Sequence, residues 1–366
     1  MSSIAKTFDW MLMIPALALS LISLIILFSI NLKDESLALT FDPWNQLIYV
    51  VVGLVAMTIV SRVEVVKLSR YSTWFYLLAL IFMLLVLIMD PVKGARRWID
   101  FGFFQFQPTE VMKLAEVVIL ARLFSKRGKN INKPWIFLLS IFYAVLPASL
   151  AIAQPDLGTA AVFGFIWLVM ISMSPVKKHY LILLILVGLI SLPVIYQYLE
   201  PYQQERVMTF IHPATDPQGS GYNTLQATIA IGSGQLFGRG LSGGSQSQLN
   251  FLPEQQTDFI FSVIAEKLGF MGAITVIIGL FWLIARFITL AWRTPDTFSM
   301  YIASGIVALI SFHSLINIGM NLGLLPVTGI PLPFLSYGGT HVIMGFVMVG
   351  IMHSIARQRY GLAFEK

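Results

Sequence analysis

Apolar runs alternate with short polar links along the whole chain. Ten can be drawn, near residues 10–30, 45–61, 72–89, 109–124, 134–153, 157–173, 179–199, 258–285, 299–321 and 340–356. A helix needs about 20 apolar residues to cross the hydrocarbon core, and most of these runs reach or approach that length. The first, Trp10 to Ile30, exceeds a typical signal h-region. It continues into Asn31-Leu32-Lys33-Asp34-Glu35 without a small-residue cleavage site, which predicts a retained anchor. The pattern predicts an all-α polytopic membrane protein. It has ten transmembrane helices, a large outer loop (200–257) between spans 7 and 8, both termini cytoplasmic, and one transmembrane domain over 1–366.

Composition agrees: 57% of the residues are hydrophobic and only 11% charged, against roughly 25% charged in soluble chains. With no cysteine, disulfides and thiolate metal sites are excluded. His179, His212, His313, His341 and His353 are far apart in sequence and read as scattered polar or interfacial side chains, with no metal predicted. The net charge of +6 points to lipid and topology rather than nucleic acid, because the basic residues flank apolar spans. With the N-terminus inside, Arg62, Lys67, Arg70, Arg122, Lys126, Arg127, Lys177, Arg286, Arg293 and Arg357 all fall on cytoplasmic links. No phosphate-cradling Gly-rich loop with the G-x-x-x-x-G-K-[ST] spacing occurs.

One outer link breaks the charge rule: Lys93, Arg96 and Arg97 lie in Asp90 to Trp98. Basic residues at outer head-group depth can hold a lipid phosphate; ordinary phospholipid contact is the alternative. The outer loop 200–257 has apolar pieces between turn signals and predicts short helices over the bundle. The last outer link, Leu324 to Thr340, has three prolines and is too apolar for water. It predicts a protein-covered turn serving shape and packing around a lipid groove.

Ionisable residues stand at membrane depth. Glu110 and Lys113, three apart, share a helix face and can pair; Glu116 is on the same side. Asp156 opens a span and can cap it. Asp258 stands where the polar loop meets the eighth span, with Glu266 and Lys267 two turns on. A carboxylate there stabilises a helix N-terminus in any case. The shared outer-face placement of Arg97, Asp156 and Asp258 makes one common site the sharper expectation. A helix end favours the charged form of Asp258, and an apolar wall such as Phe259 and Phe261 opposes it.

Five stretches, in order, carry a resemblance. They are Lys93-Gly94-Ala95-Arg96-Arg97-Trp98, Phe106-Gln107-Pro108-Thr109-Glu110, Gln154-Pro155-Asp156-Leu157-Gly158-Thr159, Phe251-Leu252-Pro253-Glu254 with Thr257-Asp258-Phe259, and Pro331-Leu332-Pro333 with Ser336-Tyr337-Gly338-Gly339. On these the chain resembles the SEDS family (shape, elongation, division and sporulation) over nearly its whole length. Gly329-Ile330-Pro331-Leu332-Pro333 and Ser245-Gln246-Ser247-Gln248-Leu249 look like the elongation member more than the division member. Thr109 and Thr340 stand where the family pattern often has Ser.

The resemblance implies a peptidoglycan glycosyltransferase that polymerises lipid II at the outer face of the bacterial cytoplasmic membrane. It implies a class B penicillin-binding protein as partner, alongside other elongation-complex membrane proteins. Small residues Gly269, Gly272, Ala273 and Gly305 suggest spans 8–9, with the outer loop, as the docking face. Asp258 takes the position of the family's essential aspartate and suits a general base. Arg97, with Lys93, Arg96 and Lys113, suits the diphosphate; Glu110, Asp156 and Glu266 suit a supporting polar cavity. No cofactor is required, although a divalent cation (Mg or Mn) could assist the leaving diphosphate. A lipid-linked precursor flippase and a noncatalytic scaffold of the cell-wall machinery are the rival readings.

Overall fold

The computed structural model describes residues 9–31, 42–90, 95–102, 104–197, 201–211, 220–249 and 251–364. Lys93, His212, most of the first outer link and the Asp216–Gly219 turn signals lie outside these residues.

The most polar of the long helices lies at the centre. Following α1 (Trp10–Asn31), α2 (Pro43–Val60) and α3 (Val65–Leu87), a small hairpin pairs β1 (Ile99–Asp100) antiparallel to β2 (Gln105–Phe106). It leads into α4 (Pro108–Arg127). Pro108 at the first helical position, Glu110 in the first turn and Lys126 and Arg127 in the last complement the helix ends. Glu110, Lys113 and Glu116 are all buried in it. Helices α3, α5 (Pro134–Ala153), α6 (Leu157–Ser172), α12 (Thr297–Asn321) and α13 (Gly339–Phe364) pack around α4. A polar helix is stable at membrane depth only when surrounded by protein.

Each of the ten expected segments coincides with a helix, the seventh with α7 (Lys178–Gln197) and the eighth with α11 (Ile260–Arg293). Among the described residues, seven helices are long and apolar enough to cross a membrane on their own. The chain is a multi-pass membrane protein. The third segment starts earlier than expected, at Val65, and the eighth starts two residues late, at Ile260.

The eighth segment is not one straight span. It breaks at Gly269, where φ is +68°, a left-handed backbone that glycine adopts without a Cβ penalty. The outer loop mends the break. Arg239 N–H donates to Glu266 O, Gly240 N–H to Lys267 O, and Phe270 N–H to Gln235 O. From Phe270 onward the helix is long enough to span, so Ile260 to Leu268 is an additional segment carrying the start of the site.

The 200–257 loop holds three helices, as expected: α8 (Pro201–Ile211), α9 (Ser220–Ser233) and α10 (Ser245–Gln248). Glu266 is committed to this loop. Its carboxylate accepts Gln246 N–H and Ser247 N–H, both at 2.9 Å, at the start of α10. Lys267 Nζ donates to Ser29 Oγ and Leu241 O. At the other end of the bundle, Arg286 pairs with Asp9, whose N–H also meets His353 Nε2. The start of α1 and the later part of α13 therefore share one face.

Candidate active site

The site is built on a turn. Leu252 to Phe259 leads into α11, and Asp258 N–H donates to Glu254 O. The helix starts after Phe259, which offers no side-chain cap. Thr257, which precedes the helix, does not cap it either: its hydroxyl donates back to Glu254 O. The capping acceptor comes from another helix. Asn321 Oδ1 accepts Ser262 N–H at 3.1 Å and Ser262 Oγ at 2.6 Å. Sequence spacing carries no sign of this, because the cap lies 59 residues from the N–H it satisfies.

Two carboxamides fix the Asp258 backbone. Asn317 and Asn321 each donate to Asp258 O at 3.0 Å. Asn317 Nδ2 also lies 2.8 Å from Ile330 O. The proline-rich link is therefore more than packing around a groove. Ser336 Oγ donates to Thr257 O at 2.6 Å, and Tyr337 N–H to Gln256 O. A Cβ added to Gly329, at φ +75°, would stand 3.5 Å from Asp258 Oδ2. Bare glycine backbone thus forms one wall beside the carboxylate.

Of the expected trio Arg97, Asp156 and Asp258, the first two are in direct contact, and Arg97 reaches Asp258 only through its charge. Asp156 caps α6 by accepting Thr159 N–H at 3.0 Å. Arg97 Nη1 lies 3.8 Å from Asp156 Oδ2. Its Nε donates to Gln154 O at 3.0 Å and its Nη2 to Pro155 O, so the guanidinium also closes the C-terminal end of α5. Gly158 packs against Thr328 and Ile330, either side of the glycine that walls Asp258. Arg96 instead turns to Leu87 O, at the end of α3.

Asp258 is half-buried. Burial, with Glu254 nearby, pushes its carboxyl up to about 6; Arg206, a Thr257 hydrogen bond and Arg97 pull the other way. Burial outweighs the two guanidinium groups. Arg206, on α8, was not singled out on the sequence. It lies within the outer loop, donates to Val327 O and lines a small cleft of about 30 Å³ with Thr209, Phe210, Thr224, Gly323 and Leu325.

Lys113 is not presented to the outer face here. It is fully buried, with Nζ 2.7 Å from Glu110 Oε1 and 3.1 Å from His313 Nε2. Two of the histidines read as scattered are partners: the His313 and His341 rings stack 5.5 Å apart at 8°, and His341 Nδ1 lies 3.3 Å from Glu110 Oε2. Glu116 is buried outside this network, with no hydrogen bond to either oxygen. Glu266 shares no hydrogen bond with Asp258 and stays with the loop.

The family described as cell cycle protein FtsW/RodA/SpoVE matches residues 9–361. The chain is 36% identical over 364 residues to the stage V sporulation protein E of Bacillus subtilis (strain 168), covering 95% of this chain and 97% of that one. It is 35% identical over 314 residues to the peptidoglycan glycosyltransferase MrdB of Escherichia coli (strain K12), covering 85% and 84%. A solved chain from work on structural coordination of polymerization and crosslinking by a peptidoglycan synthase complex superposes with a TM-score of 0.83 and 28% identity, covering 96% and 98%. The rod shape determining protein RodA of Thermus thermophilus superposes with a TM-score of 0.72 and 27% identity over the same shares. The chain belongs to the FtsW/RodA/SpoVE family of cell cycle proteins.

Proposed function

We infer that this chain is a peptidoglycan glycosyltransferase. We propose that it polymerises lipid II into β-1,4 glycan strands at the outer face of the bacterial cytoplasmic membrane, during cell elongation. Family membership and the name of the E. coli relative support the activity. The elongation-like motifs support that assignment over a division polymerase. The observation that carries the mechanism is the placement of Asp258, its backbone held by Asn317 and Asn321 and its carboxylate against Gly329, within the charge of Arg206 and Arg97.

Lipid II carries its sugar α-linked to a lipid diphosphate, and the polymer is β-linked, so one inverting displacement suffices. The acceptor 4-hydroxyl attacks the donor anomeric carbon as the bond to the diphosphate breaks. Asp258 takes the hydroxyl proton. A base titrating near 6 is ionised at neutral pH yet remains basic enough to accept a proton in the transition state. The guanidinium groups of Arg97 and Arg206 supply charge for the departing diphosphate. Lys93 and Arg96 belong to the same outer basic link. Lys113 acts from within the bundle, holding Glu110 in place. A divalent cation (Mg or Mn) assisting the departing diphosphate would be held by one or two carboxylates and the phosphates themselves.

The partner we propose is a class B penicillin-binding protein, in keeping with the solved neighbour from a complex that coordinates polymerization and crosslinking. Purified protein given lipid II in detergent tests the reading. Glycan polymer formed by wild type and lost in Asp258→Asn supports it. No polymer, with lipid movement in vesicles instead, would overturn it in favour of a flippase.

A further inference from the structure

His313 is completely buried and engaged at both ring nitrogens. Its Nδ1 lies 3.1 Å from Pro331 O. A carbonyl only accepts, so Nδ1 carries the hydrogen. Its Nε2 lies 3.1 Å from Lys113 Nζ. An ammonium only donates, so Nε2 offers its lone pair. The neighbours thus fix one neutral tautomer. Lys113 also donates to Glu110, and His341 Nδ1 donates to the other oxygen of the same carboxylate. The bonds run from His341 and Lys113 to Glu110, from Lys113 to His313, and from His313 to Pro331. They cross α13, α4 and α12 before reaching the proline-rich link.

The link holds itself over 332–336, where Leu332 N–H donates to Ser336 Oγ and Ser336 N–H to Leu332 O, but the carbonyls just before that turn rely on other elements. Pro331 and Pro333 have no N–H to donate. Two side chains of α12, one helical turn apart, grip its adjacent carbonyls: Asn317 takes Ile330 O and His313 takes Pro331 O. The residue before this pair is Gly329, the wall beside the Asp258 carboxylate. Without His313 the carbonyl two residues beyond Gly329 would lose its partner, leaving Arg206 on Val327 O, Asn317 on Ile330 O and the 332–336 turn to hold the wall.

We propose that His313 is a positioning residue for the glycosyltransferase reaction. Bridging the buried Glu110–Lys113 pair to Pro331 O, it fixes the glycine wall against which Asp258 is held. The proposal rests on the assignment of Asp258 as base. The Nδ1 arm holds the wall, and the buried Lys113–Glu110 pair sets the tautomer that lets Nδ1 donate.

Half-mimics of the ring separate the two arms. An Asn amide reaches the place of Nδ1 and can still donate to Pro331 O. A Gln amide reaches the place of Nε2 and can still accept from Lys113. Phe fills the volume and does neither. Purified variants are compared by kcat, KM and the pH profile of kcat with lipid II, with thermal unfolding as the check on folding. His313→Gln and His313→Phe should lose about 10–100-fold in kcat, the order expected for a small misplacement, with KM little changed and the acid limb of the profile shifted. His313→Asn should recover most of the loss. In an Asp258→Asn background, His313→Phe should add almost nothing, since coupled residues are not additive. Wild-type kcat and an unshifted profile in His313→Gln would overturn the proposal, as would Asn and Gln being equally poor. If Phe does not fold, the Asn–Gln contrast still decides. An active Asp258→Asn single variant would instead overturn the assignment of the base, a result distinct from either outcome of the histidine series.

Discussion

Asn317 Nδ2 stands between two carbonyls from distant parts of the chain, 3.0 Å from Asp258 O and 2.8 Å from Ile330 O. One amide thereby joins the Asp258 turn to the link that walls it. Asn317→Ala leaves Ile330 O without this donor, while Asp258 O keeps Asn321. A buried acceptor stripped of its partner costs about 1–3 kcal/mol. The variant should unfold several degrees earlier and lose more than 10-fold in polymerisation. Calorimetry and lipid II turnover on the same preparation check both. Normal turnover with lowered stability would make Asn317 a fold residue only.

Arg97 has two tasks, and substitution should reveal both. It ties Gln154 O, Pro155 O and Asp156 together at the end of α5, and it lies close enough to Asp258 to lower the pKa of that carboxyl. Losing one charged phosphate contact costs about 1.5–3 kcal/mol. Arg97→Ala should therefore reduce polymerisation by roughly 10–100-fold. Arg97→Lys should recover little, because a point charge cannot serve several carbonyls and a phosphate as a planar fork does. Full rescue by Lys would limit the role to charge alone.

The helices were legible because span length and apolarity are local properties. The Arg97–Asp156 contact was legible because motif and outer-face position coincided. What holds the site was not legible. Asn317, Asn321 and Ser336 are ordinary small polar residues in apolar surroundings, and only the fold shows which carbonyl each one meets. His313 and Lys113 are 200 residues apart, so spacing could not pair them. Gly269 read as a close-packing glycine; its positive φ and the loop backbone against it exist only in the folded chain.

The partner face also changes. Gly305 meets Val117 and Met170 inside the bundle, and Gly269 is enclosed by the outer loop, so neither offers a surface to a second protein. The later part of α11 does: Phe270, Ile278, Phe281 and Trp292 are exposed. Cysteines placed singly at positions 278, 281 and 292 of this cysteine-free chain should crosslink to the single span of a class B penicillin-binding protein. Crosslinks confined to α1, α2 and α3 would move the interface elsewhere.

Asp258 should register in activity and in stability with opposite signs. A carboxyl that titrates at about 6 when folded, against about 3.9 when unfolded, binds its proton more readily in the folded state. Its contribution to folding is therefore greatest below about pH 4 and declines as pH rises through 6. At neutral pH the ionised carboxylate costs stability, on the order of 1 kcal/mol after allowance for partial exposure. Asp258→Asn should melt a few degrees higher than wild type at pH 7.5, and the difference should vanish near pH 4. Activity runs the other way. A base must be ionised, so wild-type kcat should fall about tenfold per pH unit below 6 and level off above it. Asp258→Asn should lose roughly 10²–10⁴-fold in rate on the plateau above pH 6, the usual worth of a general base, and the gap should narrow as wild type falls below it. Asp258→Glu should also be poor, because Gly329 fixes the distance at which a carboxylate fits. A variant as active as wild type, or an acid limb unchanged in Asp258→Asn, would send the search for the base to Asp156 or Glu110.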